Sequence, residues 1–83
     1  MDPVTYFVAL AFERNADDQL VAGETRERPS AEAALSEARR MARRAAGAIA
    51  FSRTGDPATG EYRDAVVLEV FGDVPEFDLL RVN

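Results

Sequence analysis

The side chains from Val4 to Arg14 divide at a period of two. Val4, Tyr6, Val8, Leu10 and Phe12 fall on one side, and Thr5, Phe7, Ala9, Ala11 and Glu13 on the other. That period predicts a β-strand, and apolar residues on both sides place it inside a sheet rather than at its rim. Asn15-Ala16-Asp17-Asp18 reads as a polar turn. Residues 19–28 predict a second strand. Its charges (Glu24, Arg26, Glu27, Arg28) suit a sheet edge.

The period changes after Pro29. Ala31, Ala34, Leu35, Ala38, Met41, Ala42 and Ala45 recur at helical spacing. Ser30 is a suitable N-cap, and Glu32 in the first turn complements the helix dipole. A helix is therefore expected over residues 31–46, ended by Gly47 at the C′ position. Its contact stripe is mostly alanine, so it can lie close to a sheet that supplies the large side chains. Residues 48–54 and 63–72 predict two more strands, joined by Gly55-Asp56-Pro57-Ala58-Thr59-Gly60. There Asp56 can bond its own turn, Pro57 presets φ, and Gly60 can take a positive φ. Asp73 and Glu76 have the spacing of an N-cap and third helical residue, so a short helix or turn is expected over residues 74–80.

The predicted order is ββαββ in a single α+β domain spanning residues 1–83. The simplest architecture is a four-stranded, mainly antiparallel sheet with one helix on one face. A β-grasp arrangement, with the first and last strands parallel in the middle, is the alternative.

Composition narrows the chemistry. The chain has no Cys, His or Trp, and all ten of its cations are Arg. Disulfides and the usual zinc sites are excluded, and so is any Ser–His or Cys–His catalytic pair. A chain of 83 residues buries one modest core and has little room for a deep pocket as well. The expectation is a protein that is not an enzyme and holds no cofactor or metal. Asp17-Asp18 and Glu61/Asp64 are the nearest carboxylate pairs, and nothing in the sequence sets their pKa values apart as acid–base work requires. The opening residues lack the features of a signal peptide, and no apolar run is long enough to span a membrane. The expected location is cytoplasmic, without membrane association. A net charge of −5 opposes binding to nucleic acid overall.

Two surfaces remain as candidates. Arg39, Arg40, Arg43 and Arg44 form a basic cluster in the last turns of the helix. It is either an anion or nucleic-acid site or a complement to the helix dipole, paired with Glu37 and Glu32. The second is the sheet face away from the helix. With Val66, Leu68 and Val70 assigned to the helix side, Phe7, Val67 and Phe71 are expected on the far side as an apolar patch. Such patches mark interfaces. Its occupant is open between a second subunit or protein partner and the chain's own tail through Phe77, Leu79 and Leu80. In the hairpin tip, Arg53 and Tyr62 are expected either as a cross-strand pair or as a recognition tip.

Residues 47–57 (Gly-Ala-Ile-Ala-Phe-Ser-Arg-Thr-Gly-Asp-Pro) and 65–75 (Ala-Val-Val-Leu-Glu-Val-Phe-Gly-Asp-Val-Pro) resemble segments of short uncharacterised bacterial proteins. Those proteins share an alanine-rich helix followed by this hairpin. The resemblance implies a bacterial cytoplasmic source and brings no activity, ligand or site residue with it. From the residues themselves, the expected function is a small binding or accessory module acting through protein contact or homodimerisation. Anion or nucleic-acid binding by the arginine cluster is the alternative.

Overall fold

The computed structural model describes residues 3–75. Its elements run β1 (Val4–Arg14), β2 (Leu20–Arg28), α1 (Ala31–Met41), β3 (Gly47–Asp56), β4 (Glu61–Tyr62) and β5 (Val66–Gly72). This is an α+β chain with one helix and five strands among the described residues, in which every strand pair is antiparallel.

β1 lies between β2 and β3, and β3 carries β4 and β5 along its other edge. The β-grasp alternative is thereby replaced, because the central pair β1·β3 is antiparallel. The fifth strand arises where the expected fourth one breaks. Glu61 and Tyr62 pair with Asp56 and Gly55, and pairing resumes at Val66 opposite Ser52. A bulge then sets Leu68 as an extra residue between Val67, opposite Phe51, and Glu69, opposite Ala50.

The turn after β1 is organised by Asn15. Its Oδ1 accepts from the backbone N–H groups of Asp17 (2.9 Å) and Gln19 (3.0 Å). Ser30 caps the helix as expected, with its Oγ accepting from Ala33 N at 3.1 Å. The helix stops earlier than its alanine stripe suggests. Ala42 is the C-cap, and Gly47 opens β3 instead of ending the helix. Alanine is a good helix former, but backbone pairing takes precedence here. Ala46 N donates to Phe12 O (3.0 Å), and Asp73 N donates to Ala46 O (3.0 Å), which draws the chain into the sheet.

Gly47 is required by close approach. A Cβ on it would lie 2.0 Å from the backbone oxygen of Asp73. The chain therefore leaves β5 through Gly72 (φ +69) and crosses over Gly47. Residues 73–75 are not helical. The remainder of the helix or turn expected over residues 74–80, with Phe77, Leu79 and Leu80, lies outside the described residues.

The core is small against small. Ala34, Ala38 and Met41 of the helix pack on Ala9 and Ala11 of β1 and on Ala48 and Ala50 of β3. The sheet does not supply large side chains at the centre of this contact, as the sequence suggested. Phe7, Leu35, Leu68 and Phe71 pack at its margin and are only partly buried. Enlarging a fully buried alanine must displace backbone, so Ala38→Leu is expected to destabilise the fold by about 1–3 kcal/mol. A urea or thermal unfolding curve checks this.

Candidate functional site

The helix separates its four arginines. Arg40 Nη2 donates to Glu37 Oε1 at 2.6 Å, and Arg28 Nη2, from β2, reaches the same oxygen at 2.7 Å. Glu37 lies on the stripe with Ala34, Ala38 and Met41, and its side chain is 7% exposed. A carboxylate there is tolerated because two guanidiniums serve it. The hydrogen bond from Arg28, followed by that from Arg40, holds the Glu37 pKa below its ordinary value against the effect of desolvation. Arg44 approaches Glu24 at 3.4 Å, and Glu24 also holds Arg26 at 2.6 Å. Arg39 extends over the Phe71 ring, 5.7 Å from its centroid. Arg43 is exposed and has no carboxylate partner among the described residues. The cluster is thus divided between Arg40 on the helix's own Glu37, Arg44 on Glu24 of β2, a cation–π contact of Arg39, and Arg43 without a carboxylate partner among the described residues.

On the sheet, the packing of Ala9, Ala11, Ala48 and Ala50 against the helix fixes both faces. Phe7 and Phe71 belong to the helix side, where they pack on the alanine cluster. This reverses their expected placement. Alternation follows the alanines, and Phe7 shares a face with Ala9 while Phe71 sits opposite Ala48. Val67 lies opposite Phe51 and does take the far side.

The far side therefore carries Tyr6, Val8, Leu10 and Phe12 from β1, with Ile49, Phe51 and Arg53 from β3. Val67 and Val70 of β5 join them opposite Phe51 and Ile49. Ile49 is fully buried and Phe12 is 5% exposed. Tyr6, Val8, Leu10, Phe51, Val67 and Val70 are half-buried. Asp73 crosses at the Gly47 end, beside its register partner Phe12. Among the described residues, no helix lies on this side.

An aromatic group closes the other end of the face. The Tyr62 ring lies against Gly55, where a Cβ would come within 2.2 Å of it. Arg53 stacks over that ring at 5.1 Å, which makes the expected cross-strand pair a real contact. The Tyr6 and Tyr62 rings are 6.3 Å apart. Interaction with the Tyr62 side chain, then desolvation, raises the Tyr6 pKa. Arg53 Nε is buried with no hydrogen-bond acceptor. The sequence foresaw Arg53 with Tyr62 and Glu37 with the arginine cluster, but neither Arg28 on Glu37 nor Tyr6 beside Tyr62. For Glu37 the signal was its position on the alanine stripe.

The hairpin tip is turn chemistry. Asp56 Oδ1 accepts from Ala58 N at 2.8 Å, and Gly60 takes φ +76. Beside it, Pro3, Gly55, Asp56, Glu61, Tyr62 and Arg63 line an open hollow of about 340 Å³. Asp17, Asp18, Glu61 and Asp64 are all exposed. Among the described residues, no three carboxylates gather as a cation site, and no helix is long and apolar enough to cross a membrane.

Glu37 yields a pH prediction. Its folded pKa is lowered, so its stabilising contribution is complete above the unfolded value of 4.5 and disappears as pH falls through the folded value. Glu37→Gln is expected to lose about 2 kcal/mol at neutral pH. The melting temperatures of wild type and variant should converge in acid. Parallel thermal melts from pH 7 downward check both statements.

Compared with protein-family models, curated proteins and solved structures, the chain matches none.

Proposed function

We propose that this chain is a small non-catalytic binding or accessory module that works through protein contact on the sheet face opposite its helix. One observation carries the reading. Aromatic and aliphatic side chains from three strands gather on that face, and among the described residues no helix covers them. Ile49 and Phe12 are buried, while Tyr6, Val8, Leu10, Phe51, Val67 and Val70 keep partial exposure; exposed apolar surface supports association, and Tyr, Phe and Arg are residue types enriched in contact surfaces.

The arginine-rich helix end is the weaker reading for anions or nucleic acid. Arg40 and Arg44 already have carboxylate partners, which leaves Arg39 and Arg43. A cytoplasmic location in a bacterium belongs to the same proposal and rests on the sequence.

Phe51→Ser and Arg43→Ala separate the two surfaces. Each variant is cross-linked in the native host and its partners identified by mass spectrometry, with circular dichroism to verify folding. Capture is expected to be lost with Phe51→Ser and kept with Arg43→Ala. The opposite pattern rejects the sheet face in favour of the helix.

A further inference from the structure

Phe12 and Ile49 are buried, at 5% and 0% exposure, yet both stand outside the alanine core. They lie on the side of the sheet away from the helix, where Ile49 sits between Leu10 of β1 and Val70 of β5. Neighbours within a sheet shield the flanks of a side chain, which stands roughly perpendicular to the strands. They do not close over its tip. Full burial of Ile49 therefore calls for a second layer above it, supplied within the single chain.

The end of the described chain turns toward that side. Gly72 takes φ +69 after β5, and the backbone oxygen of Asp73 occupies the space that a Cβ on Gly47 would need. Gly47 is the register partner of Phe12. Cross-strand partners share a face, so the Asp73 backbone stands on the far side of the sheet. Its carboxylate reaches Arg14 of β1 at 3.5 Å. An exposed pair of this kind contributes little energy, but it shows the direction of the chain, from β5 across the end of β3 toward β1. Val74 and Pro75 are half-buried, as residues passing over an apolar surface are.

Residues 1–2 and 76–83 lie outside the described residues. The first pair starts from the wrong end. Leu10, the partner of Ile49, is about 23 Å from Pro3 along β1, and Met1 with Asp2 adds only about 7 Å of chain. From Gly47, where Asp73 crosses, Ile49 is about 7 Å away. Residues 76–83 cover that distance in any conformation, at about 12 Å as a helix and about 26 Å as an extended chain. They also carry the matching surface, with Phe77, Leu79, Leu80 and Val82 among Glu76, Asp78, Arg81 and Asn83.

We propose that residues 76–83 lie over this face of their own chain, with Phe77, Leu79 and Leu80 against Leu10, Ile49 and Phe51, so that a partner using the face must displace them. The cover stands on the burial of Ile49 and the path of residues 72–75. The displacement rests on the contact reading above and makes the tail an intramolecular competitor for the same surface.

The test uses the full chain in solution. Nuclear Overhauser contacts are expected from Phe77, Leu79 or Leu80 to the side chains of Leu10, Ile49 or Phe51. In a mixture of isotopically labelled and unlabelled chains, they should arise within one molecule. A variant carrying Phe77→Ser and Leu80→Ser should bind the apolar dye anilinonaphthalene sulfonate with at least about threefold more fluorescence, at unchanged circular dichroism. The same variant should gain up to about tenfold in partner capture, the gain expected if the uncovered form is about a tenth of the free chain. Three results overturn the cover: no such contacts in wild type, contacts that arise only between copies, or dye binding that does not rise in the folded variant. The wild-type contacts decide the matter if the variant does not fold. Capture that stays level or falls while the contacts are present overturns the displacement. The contact reading fails separately. Tail contacts together with capture indifferent to Phe51→Ser reject the face as an interface and leave the cover. Absent tail contacts together with capture lost on Phe51→Ser reject only the cover.

Discussion

Alanine against alanine is the contact from which the rest of the structure follows. Ala34 and Ala38 meet Ala9, Ala11, Ala48 and Ala50 with nothing larger than Met41 among them. Short side chains on both surfaces allow the helix and sheet backbones to approach closely, and interaxial distance depends on the side chains at the contact. The bulky residues are consequently left two places. Phe7, Leu68 and Phe71 pack at the margin of the helix contact. Tyr6, Leu10, Phe12, Ile49 and Phe51 take the other side of the sheet. A protein that spends its smallest residues on its one helix contact thus keeps its aromatic and branched surface for the opposite face.

Electrostatics lock the same arrangement. Glu37 extends the alanine stripe with a carboxylate, and its two arginines come from different elements, Arg28 from β2 and Arg40 from the helix. Glu24 similarly joins Arg26 within β2 to Arg44 beyond the helix. What reads along the chain as four neighbouring positive charges is, in space, partly a seam between helix and edge strand. The basic character of that surface is smaller than its count of arginines suggests, because Glu37 and Glu24 already pair with Arg40 and Arg44.

Much of the fold was legible in the sequence, and the reasons are local. The period of β1, the cap at Ser30 and the turn residues Asp56 and Gly60 each act on their own backbone within a few positions, so their effect survives in any tertiary context. The choice of face was not legible in the same way. Assigning Val70 to the helix assumed that large branched residues seek it, and this put Phe7 and Phe71 on the wrong side, whereas Val66, opposite Ser52, and Leu68 do lie on the helix side. The corrective signal was present in the paired alternations Ala9/Ala11 and Ala48/Ala50, which match the helix stripe in size. The bulge at Leu68 adds a second obstacle, since it reverses the alternation within β5 and no residue type announces it. The early end of the helix is of the same kind. It depends on a bond from Ala46 to Phe12, and nothing near Ala46 in the chain reports that distant acceptor. For the candidate site, Arg53 and Tyr62 were visible as flanks of a turn, whereas the partnership of Tyr6 required the register of β1 on β3.

The central place of β1 also bears on how the chain is made. Its hairpin partner β2 follows at once, but its other partner lies beyond the helix, with Phe12 waiting for Gly47 and Val4 for Gly55. Until β3 has been synthesised, the helix has only half of its alanine floor, and one edge of β1 is unpaired along its length. The slow event in folding is then the closure of that long-range pairing. For that interval the nascent chain presents an open β edge between two apolar faces, the condition in which a growing polypeptide is most exposed to wrong partners.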